Sequence, residues 1–391
     1  MSTPLAPEVT RPRPPWEDSA QLAEKPAGGA EYGYVDQQGG HGCTREELVA
    51  FAAGDAQLLA VWTPDSPNLS MPEEVPFLYE AMKRRITASA KRKLSITLAL
   101  FAAGMLYLGW RGHWGRPDSW PFLLTGIAGI AATWSAVGLA SARRLTAERM
   151  ADKGTDHRHG IWLSRQRYDT TKWISWCLIA VFAIQYISGL DHSMDAAGLI
   201  KSMVRLGQPW RLLTGPMLHH DPLHFMMNFG ALIAFGRMTE VHAGRPYVPL
   251  VFIVSALGGS VTSTLLTSNA SVGASGGLMG FVGFLAVLAW RRRPFLPPGF
   301  LRTVMFDLAG VVIIGVIGYA FIDNAAHLGG FLTGAGLGAL LVPRVVAGDA
   351  LSPTPWSLAP GPGVRLAGNI ALAATVGASL MAVAAMNGLW Q

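Results

Sequence analysis

The stretch GASGGLMGFVGFLAVLAW, residues 273–290, sets Ser275 between Gly273 and Gly276 at the start of an otherwise apolar helix. A hydroxyl buried in apolar surroundings needs a polar partner, and few side chains in this sequence can supply one. His327, in AAHLGGFLTGAG (325–336), opens a second Gly-rich apolar segment. His224 and Asn228, in HHDPLHFMMNFG (219–230), lie on a third. These three segments are expected to meet at one polar site inside a membrane.

Half of the 391 residues are hydrophobic and 14% are charged, whereas soluble domains carry about 25% charge. Apolar runs fall near 94–110, 119–141, 173–190, 223–239, 246–267, 275–290, 304–322, 326–343 and 364–387. Most approach the roughly 20 residues that span a ~30 Å hydrocarbon core. The expected fold class is an all-α polytopic membrane protein of about nine spans.

The net charge of +6 would suit nucleic acid, but its placement argues otherwise. With the N-terminus inside, the inner segments hold 22 Lys and Arg near the spans and the outer loops hold 5. That asymmetry is the positive-inside pattern, so the lipid bilayer is the expected partner and nucleic acid is excluded. It places the N-terminus in the cytoplasm and the C-terminus outside, in a plasma (inner) membrane. Cys43 and Cys177 give no disulfide framework. The first apolar run begins near residue 94, so no cleavable leader is read.

The organisation expected along the chain has five parts. Residues 1–92 form a cytoplasmic region. Its first 42 residues, rich in Pro, Gly and charge, read as disordered, and a small helical module follows, opened by the capping-box pair Thr44 and Glu47. Residues 93–141 form a transmembrane hairpin, with Trp110, Trp114 and Trp120 at the interface. Residues 142–171 are a basic connector, 172–344 hold the chemistry, and 345–391 are a linker and one further span.

Asp221 followed by Pro222 reads as a helix start, with Asp as cap and Pro in the first turn. His224 and Asn228 then share one face. On a membrane helix such residues are costly unless paired inside the bundle; interhelical hydrogen bonding is the plain structural role for them. His220-Asp-Pro-Leu-His224 superficially resembles the H-E-x-x-H zinc pattern. Pro222 leaves His220 outside the helix, however, so no metal and no cofactor are assigned. Gly276 with Gly280 is a packing motif in its own right. Gly330 and Gly334 follow His327 at i+3 and i+7, which lets the His327 face approach another backbone closely.

Depth gives a further check. Counting at 1.5 Å per residue, Ser275 lies ~23 Å from Trp290, His327 ~25 Å from Arg344, and His224 ~24 Å from Glu240. Against a ~30 Å core, all three sit at one level near the outer face. A neutral histidine there can take the proton of a serine nucleophile. His224, the Asn228 amide and the Ser275 backbone N–H are available to hold an oxyanion. No carboxylate is obviously placed to orient His327, since Asp323 lies one turn nearer the outer surface. A Ser275–His327 dyad is the simplest proposal.

Together these residues resemble the rhomboid family of intramembrane serine proteases over about residues 172–344. The resemblance rests on Trp210-Arg211 in the first outer loop, His219, and His224 and Asn228 at H-x-x-x-N spacing. Glu240 follows, then Gly273-Ala274-Ser275-Gly276, and Ala326-His327 with Gly330 and Gly334. It implies a six-helix core with Ser275 as nucleophile, His327 as general base and an oxyanion site from His224 and Asn228. It also implies single-span membrane protein substrates, cut near their outer ends. The hairpin and the last span exceed the six-helix plan, and Met279 stands where the family often has an aromatic residue. Two alternatives have different signatures. A non-catalytic helix-binding relative usually loses the serine or the histidine, and both are present. A transporter would show buried charge pairs and broken helices at the midplane, which the sequence lacks.

Overall fold

Apolar runs punctuated by Gly, Pro and Arg fold as helices, and the breaks between them set the architecture. The computed structural model describes residues 14–17, 22, 25, 29–54, 58–112, 119–319, 322–344 and 358–389. Expectations placed on residues 1–13, Trp114, the linker at 345–357 and Gln391 lie outside these. Ahead of the membrane region come β1 (Tyr32–Val35), β2 (Gly40–Cys43), α1 (Arg45–Ala53) and β3 (Ala60–Trp62). The strands form one antiparallel sheet in the order β2-β1-β3, with Tyr34 opposite His41 on one side and Val61 on the other.

This sheet departs from the helical module and the disordered 1–42 expected above. The Asp36 carboxylate accepts the Gln38 N–H at 2.7 Å and the Gly39 N–H at 3.1 Å. That local capture turns a Gly-rich run into a defined hairpin turn. Gly33 leaves room for the Trp62 ring, which a side chain there would overlap. The capping box forms as expected: Thr44 Oγ1 accepts from Glu47 N–H at 3.2 Å, and Glu47 accepts from Thr44 N–H at 2.8 Å.

The hairpin is α2 (Tyr79–Arg111) and α3 (Trp120–Arg143). The expected module and hairpin are not separated here, because α2 runs as one 33-residue helix. No Gly or Pro interrupts it before Gly104. The connector contains a helix too, α4 (Ala147–Arg165), and the N-terminal module docks beside it. Leu48, Val61, Leu78 and Met82 share a core with Leu145 and Met150. His157 meets Glu73 at 3.1 Å and Arg158 pairs with Glu74. Trp16, 1% exposed, packs edge-on to His159 and Trp162 at 4.9 Å each.

Next come α5 (Asp169–Ser188) and three short helices, α6 (Leu190–Ala197), α7 (Lys201–Arg205) and α8 (Arg211–Thr214). The expected outer loop is therefore largely helical. Then α9 (Pro222–Ala231) passes through a π turn at Leu232–Gly236 into α10 (Arg237–Ala243). α11 (Tyr247–Leu266), α12 (Ser275–Arg291), α13 (Phe300–Ile317) and α14 (Asn324–Leu341) complete the central bundle. α15 (Pro362–Met386) packs against α5 and α11. Its Met386 carbonyl lies 3.0 Å from His192 Nε2.

Among the described residues, α2, α3, α5, α11, α13 and α15 are long and apolar enough to cross a membrane. The other three expected spans are the α9–α10 rod, α12 and α14. α12 is apolar but short at 17 residues, the rod is divided by its π turn, and α14 has its hydropathy lowered by Asn324, His327 and its glycines. The molecule is a mostly helical polytopic membrane protein, and among the described residues its β-sheet lies in the N-terminal module. α12 sits at its centre, buried from Gly276 through Leu285. Both cysteines are free.

Candidate active site

Glycine brings α12 and α14 together. A Cβ on Gly330 would overlap the Gly276 carbonyl, and one on Gly334 would overlap the Gly280 carbonyl. Only bare backbone allows so close an approach. On the third side, a Cβ on Gly259 would fall 2.7 Å from the Ala326 carbonyl oxygen and 3.3 Å from the Gly276 Cα. Ser275 precedes Gly276 and His327 follows Ala326, so this three-helix contact brings the backbone at the two residues to the same level. Both are partly accessible. They make no hydrogen bond to each other among the described residues.

The second pair arrives through Gly273. Its φ of +128° suits glycine, and its N–H donates to the Gly215 carbonyl at 3.2 Å. A Cβ there would stand 2.7 Å from His224 Cε1 and 3.7 Å from Asn228 Nδ2. His224 and Asn228 therefore face the backbone leading into Ser275. Asn228 is buried, and its Nδ2 has no protein partner. A buried amide donor left free beside a serine is available for a developing negative charge.

The start of α9 is built as expected: Asp221 caps it, accepting the His224 N–H at 2.8 Å, with Pro222 in the first turn. His220 points away and meets Asp221 at 3.3 Å. His219 is fully buried with both ring nitrogens unpartnered, edge-on to Phe225 at 5.2 Å and 5.4 Å from the His224 ring centroid. It buttresses His224 by packing.

Trp210 and Arg211 organise the segment between α5 and α9. The Arg211 guanidinium donates to Gln208 at 2.7 Å, the Gly198 carbonyl at 2.8 Å and the Asp195 carbonyl at 3.0 Å, and lies over the Trp210 ring at 4.7 Å. Glu240 works at the opposite end of the bundle. It accepts the Thr170 N–H at 3.0 Å, and the Thr171 N–H and hydroxyl at 2.8 Å each, and so caps α5. It is far from the site and structural.

Gln185 escaped the sequence reading. Fully buried in α5, it donates to the His219 carbonyl at 2.6 Å and accepts the His219 N–H at 3.0 Å. The available signal was a lone amide in an apolar run. Asp323 is engaged by Ser263 Oγ and by the Ala326 N–H at 2.9 Å. Met279 is buried in the core. Among the described residues no three His, Cys, Asp or Glu side chains converge to hold a metal.

Fold and site define a polytopic α-helical membrane protein with a serine, two histidines and an asparagine gathered at one end of its bundle. Comparison points to a likeness over part of the chain: residues 206–344 match the model described as Rhomboid domain. It is 34% identical over 151 residues to RHOMBOID-like protein 6, mitochondrial, of Arabidopsis thaliana, covering 38% of this chain and 48% of that protein. It is 33% identical over 137 residues to Rhomboid protease GluP of Bacillus subtilis (strain 168), covering 34% and 26%. It is 30% identical over 136 residues to Inactive RHOMBOID-like protein 8 of Arabidopsis thaliana, covering 34% and 38%. The matched stretch spans less than half the length of each of these relatives.

Proposed function

We propose that this protein is an intramembrane serine endopeptidase that cuts membrane-spanning segments of other proteins near their outer ends. Ser275 Oγ attacks the scissile carbonyl carbon while His327 takes the hydroxyl proton. The oxyanion formed is held by Asn228 Nδ2, His224 and the Ser275 N–H. His327 returns the proton to the leaving amine, and water then releases the acyl group by the same route. The observation that carries this reading is at Gly273, where the His224 ring and the unpartnered Asn228 amide press on the backbone entering Ser275.

The substrates proposed are single-span proteins with small or helix-destabilising residues at the cut, since a protease must bind extended peptide. The site end of the bundle faces outside, the N-terminus lies in the cytoplasm, and the membrane is the plasma (inner) membrane. No cofactor takes part.

The test is cleavage of a single-span reporter in membranes. Ser275→Ala and His327→Ala each reduce it to background while the protein still inserts, and a fluorophosphonate labels wild type at Ser275. Absence of labelling in folded wild-type protein overturns the reading. One relative is named inactive, which favours a second reading as a helix-binding protein. Client capture that survives Ser275→Ala, with no cleavage by wild type, would establish that instead.

A further inference from the structure

Lys201, at the start of α7, is 1% exposed. Its ammonium donates to the Asn269 carbonyl, lies 3.4 Å from Ser271 Oγ and is 3.6 Å from the Asp323 carboxylate. An ammonium taken out of water is retained only with close partners, and these partners come from two different segments. Asn269 and Ser271 belong to the loop that runs into the nucleophile, Ser271 being four residues before Ser275. Asp323 caps α14 through the Ala326 N–H at 2.9 Å and stands four residues before His327.

The same loop is held from the other side as well. Leu199 pairs with Ser271 through backbone hydrogen bonds at 3.0 and 3.1 Å, and Gly273 N–H donates to Gly215. The α6–α8 segment thus grips the approach to Ser275, and Lys201 is where that grip reaches the helix bearing His327. Burial lowers the Lys201 pKa from its ordinary value, and the Asp323 charge opposes that shift. Nothing else among the described residues pairs with the Lys201 ammonium.

We infer that Lys201 and Asp323 form a positioning pair that fixes the nucleophile loop relative to the general-base helix. Neither touches the reacting atoms. This inference rests on the proposed protease reading and adds how its two catalytic residues are held in register. A displacement of about 1 Å between reacting groups costs on the order of 10²-fold in rate, which sets the effect expected.

Lys201→Met in the full-length protein is expected to lower kcat for a single-span reporter, and the fluorophosphonate labelling rate at Ser275, by about 10- to 100-fold, with KM within about twofold of wild type. Lys201→Arg restores most of the rate, because a guanidinium reaches the same acceptors. Asp323→Asn keeps a helix-capping side chain but removes the charge, so it gives the same loss and carries the test should Lys201→Met not accumulate. The double variant is no slower than the worse single, as for two members of one contact. Wild-type labelling rates in folded Lys201→Met or Asp323→Asn overturn the inference, as does a loss carried by KM alone. Failure of wild type to label defeats the protease reading itself, which separates the two.

Discussion

At the scale of single residues, Gly273 shows how narrow the tolerances are. Its φ of +128° and the His224 ring 2.7 Å from where a Cβ would sit leave no place for a side chain. Such backbone positions cost a non-glycine residue about 1–3 kcal/mol, and relief here would displace His224 or the Ser275 loop. Gly273→Ala is expected to slow fluorophosphonate labelling about as much as loss of one oxyanion donor, on the order of 10²-fold, with helicity by circular dichroism unchanged. A labelling rate equal to wild type would show that the loop has slack. His224 and Asn228 were legible in the sequence because helical spacing alone puts them on one face. Gln185 and Lys201 were not. A lone amide in a span and a lone lysine in the segment between two spans acquire meaning only from partners far along the chain, His219 for the first and Asn269, Ser271 and Asp323 for the second.

Among the elements, the contact between α12 and α14 has the least room. Gly330→Ala would drive a methyl into the Gly276 carbonyl, and overpacking of this kind costs about 1–3 kcal/mol. The expected result is a clear fall in thermal unfolding temperature in detergent. Gly336→Ala is the control, since a Cβ there meets nothing within 4 Å and gains helix propensity. Equal behaviour of the two variants would mean the close approach is not what holds the bundle. Helix existence was readable from apolar runs and caps; continuity was less so. α2 runs unbroken from the expected module into the hairpin because no breaker divides it, and the short strands β1 and β2 were hidden in a Gly-rich stretch whose turn depends on Asp36.

Taken whole, the molecule joins an N-terminal module to a membrane bundle through α4, and the join should respond to pH. The hydrogen bond to Glu73 raises the His157 pKa above 6.5. Burial pushes the Glu73 carboxyl up, but the His157 hydrogen bond and charge outweigh it and leave it below 4.5. The histidine contribution is full below about pH 6.5 and is lost as pH rises through the raised value. The glutamate contribution is full above about pH 4.5 and is lost as pH falls through the lowered one. Limited proteolysis of the module is therefore expected to quicken as pH rises above about 6.5 and through the raised His157 value, and Glu73→Gln should flatten that rise. An unchanged profile in Glu73→Gln would remove this pair from the docking. The π turn at Leu232–Gly236 carries a consequence of its own for the rod that links the two ends. A π turn takes in one residue more than an α turn over nearly the same winding, so deleting a single position from LIAFG would leave the two ends in phase, whereas inserting one more would swing everything beyond it by about 100°. On insertion, either the imidazole and amide leave the serine, or Glu240 lets go of α5; added length there is as constrained as identity.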